Sequence, residues 1–185
     1  MNLFQAISIK NINEINRLLE EGEDIFQVND NNDNSLHKAV STGFECEIKI
    51  IEILLKNASK FSRKKFVEYI NLQNNKGETP LFLACKHASD WSGHEDAIKL
   101  LISNGADLNI QDEEGNTPLH ISLYQDESAS ICELLINQGA KLNIKNSEGE
   151  TVRDMMGVSR SILELMDKVD RHNELEKQNK IKKQK

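Results

Sequence analysis

The chain has 185 residues, of which 38% are hydrophobic and only 5% are aromatic. This composition is thin for one globular core, but it suffices for a stack of small units in which each unit touches only its neighbours. Residues 1–166 carry 16 Lys and Arg against 26 Asp and Glu, so this region would repel phosphate, and we expect no nucleic-acid partner.

No apolar run approaches the 18 residues that a membrane-spanning helix needs. The amino terminus also lacks the charged start and long apolar stretch of a secretory signal. We therefore expect a soluble, cytoplasmic protein with no membrane partner.

A repeated motif organises the chain. The sequence Gly-Asn-Thr-Pro-Leu-His at 115–120 corresponds to Gly-Glu-Thr-Pro-Leu-Phe at 77–82. Aligning the chain with itself on these motifs predicts five units, roughly 1–28, 29–70, 71–109, 110–143 and 144–166, followed by a tail at 167–185. An internal period in this range is typical of repeat architectures.

Thr-Pro-Leu-His at 117–120 and Thr-Pro-Leu-Phe at 79–82, the latter followed by Ala84, resemble the ankyrin-repeat family, whose unit has about 33 residues. The resemblance covers about residues 1–166. It implies an all-α solenoid of helix-turn-helix units with projecting β-hairpin loops. Unit two matches the pattern less well than units three and four but remains legible. Units one and five match it least, as we expect of terminal caps that face water.

In units two to four, local signals mark the first helix. Asn34, Thr79 and Thr117 stand where a side-chain oxygen caps the helix, and Pro80 and Pro118 follow in its first turn. The interior positions are predicted to be Leu36, Leu81 and Leu119 with Ala39 and Ala84, while the second helices contribute Leu54/Leu55, Leu100/Leu101 and Leu134/Leu135.

Two insertions depart from the family pattern. Residues 60–70 place Phe66, Tyr69 and Ile70 at helical spacing beside Arg63, Lys64 and Lys65. We expect the apolar stripe to pack on unit two with the cations solvated, and a docking site is the alternative. The other insertion holds Trp91, which is either an interface anchor or a residue folded onto the insertion near Phe44.

The tail at 167–185 is polar and charged, with seven Lys and Arg and four acids. We expect a charged extension, helical or disordered, that keeps the last unit solvated. A nuclear address, a membrane-surface contact and part of a secretion signal are weaker alternatives.

The sequence lacks the usual catalytic and metal-binding motifs, so we expect no enzyme activity, no cofactor and no metal site. Cys46, Cys85 and Cys132 are far apart and are predicted to be free thiols. His37, His94 and His120 occupy positions where the family uses imidazole as a brace between loops. A catalytic cluster of His87, Asp90 and Cys85 is the disfavoured alternative.

The resemblance also implies a binding surface, because partners in this family usually contact hairpin tips and the exposed side of first helices. Carried over by position, the partner-binding residues are Asp30, Asn31, Asp33, Asn75, Lys76, Glu78, Lys86, His87, Trp91, Glu113, Glu114, Asn116, Tyr124, Gln125 and Glu148. This surface is acidic and favours a partner with a basic surface. Solvated turns favour the same residue types, so the acidity is also explained without a partner.

Asn109 and Asn143 end units that look like substrates of asparaginyl hydroxylases, and the resemblance also gives them a role in bracing the hairpins. The leading function is a monomeric, non-catalytic protein-interaction module. An inhibitory or regulatory subunit is the alternative. Asn, Ile and Lys contribute 20, 19 and 18 residues, a bias typical of AT-rich genomes, which supports the hypothesis of a secreted effector that docks a host protein.

Overall fold

The computed structural model describes residues 1–41, 48–88, 94–124 and 129–183. Helices are the regular elements of these residues, which contain no strand. In chain order, the helices are α1 Leu3–Ser8, α2 Ile12–Glu20, α3 Ser35–Val40, α4 Ile48–Ala58, α5 Arg63–Ile70, α6 Pro80–Lys86, α7 His94–Ser103, α8 Pro118–Leu123, α9 Ala129–Asn137 and α10 Arg160–Lys183.

The helices pack in pairs, and the pairs stack on one another. Within units one to four, the first and second helices pack as α1 with α2, α3 with α4, α6 with α7 and α8 with α9. The first helices also pack on one another, α1 on α3, α3 on α6 and α6 on α8. Each helix therefore buries its apolar stripe against its own partner and the next unit, which confirms the predicted solenoid.

The core is built around leucines that recur in each unit. Leu36, Leu81 and Leu119 are fully buried, and so are Leu54, Leu101 and Leu135 of the second helices. Leu55 is also buried, whereas Leu100 and Leu134 are only partly buried because they lie at the edge of the stripe. Ala39 and Ala84 are buried between helices, where a small side chain permits close approach.

The predicted caps begin the first helices. Thr79 accepts the backbone N–H of Phe82 at 3.1 Å, and Thr117 accepts that of His120 at 3.4 Å. Pro80 and Pro118 occupy the first helical position, where the missing N–H costs nothing. Asn34 caps α3 in the same way.

Unit five differs from the other four units of the chain. Its predicted first helix is replaced by turns over 152–157, where the side chain of Asp154 accepts the hydroxyl of Thr151 at 2.7 Å. Its second helix, α10, buries Ile162 and Met166 and continues past the predicted boundary at 166 to Lys183. Arg153 fastens this helix through ion pairs with Asp167 and Asp170 at 2.8 and 2.7 Å.

The insertion at 60–70 contains α5, as the spacing predicted. Phe66, Tyr69 and Ile70 are buried, and the charged residues of α5 are exposed. The ring of Tyr69 packs edge-on against Phe26 of unit one, and its hydroxyl lies 2.6 Å from Ser35. The apolar stripe therefore packs on the rest of unit two, as expected, and it also contacts Phe26 of unit one.

None of the described helices is long and apolar enough to span a membrane.

Candidate functional site

Four projecting turns, which we call fingers, connect the units. They comprise residues 29–33, 74–78, 112–116 and 146–150. Each begins with an Asn or Asp whose side-chain oxygen accepts two backbone N–H groups, two and four residues later. These residues are Asn29, Asn74, Asp112 and Asn146, with distances of 2.8–3.1 Å.

These four residues are not among the predicted partner-binding residues. Their signal was nonetheless present, because each stands three residues before the Gly or Asn at the tip of its finger. Asn and Asp close local turns in this way, so the same spacing in four units could have identified the residues that shape the fingers.

Neighbouring fingers are joined by backbone hydrogen bonds. Asn75 donates its N–H to the carbonyl of Asn31 at 2.9 Å, and Glu113 donates to Lys76 at 3.0 Å. Ser147 completes the series by donating to Glu114 at 2.8 Å. The four fingers therefore form one connected ladder, which fixes the spacing of the side chains that they carry.

Close stacking explains the glycines of this ladder. Gly77 and Gly115 have φ angles of 74° and 76°, in the region that disfavours other residues. A Cβ atom at Gly77 would also lie 2.8 Å from the backbone nitrogen of Glu113, and one at Gly115 would lie 2.8 Å from that of Ser147. Asn32 takes the same position in the first finger with φ of 60°.

Of the three histidines predicted to act as braces, all are buried, and His37 and His94 bond to a neighbouring unit. His37 accepts the N–H of Asn34 at Nδ1, and its Nε2 lies 3.0 Å from the carbonyl oxygen of Glu78 in the next unit. His94 reaches the carbonyl of Val40 at 3.2 Å. Burial lowers the pKa of His37, although the nearby carbonyl of Glu78 opposes this effect.

His120 caps its own helix at Nδ1, which lies 2.8 Å from the hydroxyl of Thr117. We expected its Nε2 to bond to the next finger. This buried atom has no hydrogen-bond partner among the described residues, so that link is not formed. Burial lowers the pKa of this imidazole, and the carbonyl of Glu150 acts in the opposite direction.

The predicted partner-binding residues fall into three groups. Exposed positions are Asp30, Asn31, Asn75, Lys76, Glu113, Glu114, Tyr124 and Glu148, and half-buried positions are Asp33, Lys86 and His87. Glu78 and Asn116 are each only 5% exposed and therefore offer little surface to a partner. Trp91 and Gln125, like the insertion near Phe44, lie outside the described residues.

Glu78 organises a groove between two fingers and α6. It forms an ion pair with Lys86 at 2.7 Å and accepts a hydrogen bond from Asn74 at 3.1 Å. Although burial opposes ionisation, these two partners hold the pKa of the Glu78 carboxyl below its ordinary value. The groove has a volume of about 320 Å³, and Leu83 lies at its floor.

Tyr124 ends α8 beside the last two fingers. Its side chain is 56% exposed. Partial burial raises the pKa of its hydroxyl, and the negative charges of Glu148, Glu150 and Glu114 add to this effect. The end of α8 therefore presents an aromatic ring in an acidic environment.

Asn109 and Asn143 differ in their contacts. The side-chain oxygen of Asn109 accepts the N–H of Lys141 at 2.8 Å, and Asn71 makes the equivalent bond to Asp107 one unit earlier. Asn143 is exposed and makes no side-chain hydrogen bond to a described residue. The expected brace at Asn143 is thus wrong, because α10 continues where the loop of a further unit would supply the N–H group.

The structure describes two of the three cysteines. Cys85 and Cys132 are free and buried, and burial raises the pKa of both. Cys46 and Asp90 lie outside the described residues. Within the described ranges, no group of three His, Cys, Asp or Glu side chains is placed to hold a metal ion.

Comparison with known proteins agrees with this architecture. The family model described as ankyrin repeats (3 copies) matches residues 3–112 and 64–146. An ankyrin repeat-containing protein of Schizosaccharomyces pombe is 39% identical over 51 residues, which are 28% of this chain and 22% of that protein.

Two further relatives are similar over single segments. NF-kappa-B inhibitor alpha of Gallus gallus is 36% identical over 63 residues, covering 34% of this chain and 18% of that protein. A transient receptor potential cation channel, subfamily V member 5, of Oryctolagus cuniculus is 43% identical over 58 residues, covering 31% of this chain and 7% of that protein. The matched segments thus span less than a quarter of these relatives.

Proposed function

Because the chain belongs to the ankyrin-repeat family, we propose that it is a non-catalytic protein-interaction module that binds a protein partner on its finger face. The finger face consists of the four fingers and the C-terminal ends of α6 and α8. The observation that supports this function most directly is the hydrogen-bonded ladder, which holds exposed side chains of four units at fixed spacing. A preorganised surface loses little conformational entropy on binding.

The charge of the finger face favours a basic partner. Asp30, Glu113, Glu114 and Glu148 are exposed there, and the exposed ring of Tyr124 lies among carboxylates. A Lys or Arg side chain of a partner would meet both an aromatic face and negative charge. Lys86 adds little positive charge to this surface, because it is paired with Glu78.

A charge-reversal experiment tests this function. Proteins captured by the wild-type chain are identified by mass spectrometry and compared with those captured by the E113K/E114K variant. The matched control is E20K/E52K, which reverses two exposed carboxylates on α2 and α4. We expect a partner that the finger variant loses, that the control retains, and that high salt releases. Equal, salt-insensitive capture by all three proteins contradicts the proposal.

An inhibitory or regulatory subunit is the second candidate function. The similarity to NF-kappa-B inhibitor alpha favours it, although the match covers 18% of that protein. The two functions differ in their effect on the partner. If addition of the chain lowers the activity of a captured enzyme, and E113K/E114K does not, the inhibitory function holds.

The remaining expectations are part of the same proposal. A net charge of −7 disfavours nucleic acid as a partner. A monomer that works in the cytoplasm, or in a host cytoplasm as a secreted effector, is consistent with a repeat stack whose finger face is open. Sedimentation of the purified protein and imaging of a tagged chain in its native cell test these two points.

A further inference from the structure

The α5 insertion creates a groove on a different part of the molecule from the finger face. The groove lies between the start of α5 and the end of α7, and its volume is about 440 Å³. We call it the α5 groove, and its main lining residues are Ser59, Phe61, Arg63, Phe66, Ile102 and Asn104. It exists because α4 is followed by an extra helix rather than directly by a finger.

The apolar part of the groove is partly exposed but firmly held. Phe61 is 49% exposed, whereas Phe66 is only 5% exposed, and Ile102 packs partly buried beside the core. The ring of Phe61 meets that of Phe26 edge-on, with 4.8 Å between centroids, so its position does not depend on a ligand. Lys65 lies 5.8 Å from the same ring.

The charge around the groove is opposite to that of the chain. Residues 56–67 contain five cations and no acid, in a protein of net charge −7. Arg63 lies over the ring of Phe66, with 5.7 Å between guanidinium carbon and centroid, and reaches the rim of the groove. The residues that line the groove include no carboxylate.

Nearby acids leave most of this positive charge available. Glu68 lies 3.8 Å from Lys64, and both side chains are largely exposed, so the pair is weak. Asp24 and Glu68 share a separate small cavity with Lys65. Within the described residues, Arg63 forms no ion pair.

We propose that the α5 groove binds an acidic peptide segment of a second protein. One apolar side chain of the segment lies between Phe61, Phe66 and Ile102, and a carboxylate contacts Arg63, the cation that lines the groove. Lys60, Lys64 and Lys65 are close to it in the sequence and add positive potential. Charge complementarity carries this choice of partner, because an exposed aromatic ring beside unneutralised cations favours a ligand that is both apolar and anionic. The site is separate from the finger face and does not depend on its function.

The test uses a fluorescein-labelled polyglutamate peptide with one central Phe and measures fluorescence anisotropy with the full-length protein. We expect saturable binding that salt weakens. The R63E and F61S variants should each lose about tenfold in affinity. K49E, which reverses an exposed cation on α4, should bind like wild type, as should the finger variant E113K/E114K.

Four outcomes would overturn the proposal. The first is absence of saturable binding at low salt, and the second is equal affinity for a peptide with Ala in place of Phe. The third is binding only to vesicles that contain anionic lipid. The fourth is self-association in sedimentation that R63E abolishes, since it would make the acidic finger face of a second copy the occupant. Circular dichroism of R63E and F61S verifies that both variants are folded, so a loss of binding reports on the groove itself.

Discussion

The Nε2 atom of His37 lies 3.0 Å from the carbonyl oxygen of Glu78, and this contact joins the first helix of unit two to the finger of unit three. The contact needs a proton on Nε2, which donates to the carbonyl in the neutral ring and in the charged ring alike. Nδ1 lies 3.1 Å from the backbone nitrogen of Asn34 and 2.8 Å from its side-chain oxygen, so protonation of Nδ1 changes its role at the cap of α3 and not the contact with Glu78.

We predict that the free energy of unfolding falls as the pH is lowered through the ordinary pKa of His, about 6.5. Burial lowers the pKa of His37 in the folded state, so the unfolded chain takes up a proton first. The stabilisation is complete above the ordinary value and decreases below it. Urea unfolding at several pH values measures this dependence.

The H37Q variant provides the comparison for this prediction. It should be less stable than wild type at neutral pH. Its stability should also change less between about pH 7 and pH 5, the range in which His titrates. Burial also lowers the pKa of His120, so the stability of H37Q/H120Q should depend on pH still less. An unchanged slope in both variants would contradict the assignment.

We predict that G77A destabilises the protein more than G149A. Both glycines have positive φ, of 74° and 82°, so each substitution introduces backbone strain of about 1–2 kcal/mol. Only at Gly77 would the new Cβ meet another finger, 2.8 Å from the nitrogen of Glu113. At Gly149 no atom lies within 4 Å.

The difference between these two variants isolates the stacking of the fingers. Thermal and urea unfolding should give G77A an additional loss of about 1–3 kcal/mol, typical of overpacking. If the two variants were equally stable, the close approach of neighbouring fingers would not restrict this position.

We predict that L119A lowers the free energy of unfolding by about 2–5 kcal/mol, as truncation of a buried Leu does. Leu119 is fully buried between its own helix pair and unit three. The control is L175A, because Leu175 is 59% exposed on α10 and should change stability by less than about 0.5 kcal/mol. A melting curve of L119A identical to that of wild type would show that the stack tolerates the cavity.

We predict that N109A is less stable than N143A. Asn109 accepts the N–H of Lys141 at 2.8 Å, and losing this bond should cost about 0.5–1.5 kcal/mol. Asn143 makes no such bond to a described residue, so N143A should be close to neutral. Equal stabilities in urea unfolding would argue that the bond of Asn109 contributes nothing.

Hydroxylation of Asn109 and Asn143 stays a prediction of the family resemblance. Peptide mass spectrometry of the protein isolated from its cell should find one added oxygen on either residue. Because Asn143 is exposed and its side chain is not engaged by a described residue, we expect more complete modification there than at Asn109. Unmodified peptides for both sites remove the hypothesis for that cell.

Local signals in the sequence determined where the repeat units and their first helices lie. The Thr-Pro-Leu motif places the cap, the first helical residue and the buried Leu within one turn of helix, so units three and four could be predicted residue by residue. The same holds for α5, whose apolar residues recur at helical spacing and face the preceding units. The chemistry of these positions acts within a few residues and needs no tertiary information.

The tertiary structure decided which finger residues remain available to a partner. Glu78 and Asn116 belong to fingers, as the alignment predicted, yet both are buried by the adjoining helix and the neighbouring finger. It also decided that unit five has turns in place of a first helix, and that the tail, expected to be helical or disordered, is helical as far as Lys183. Burial depends on which groups lie across the interface, and a repeat pattern records only the contacts that recur in each unit.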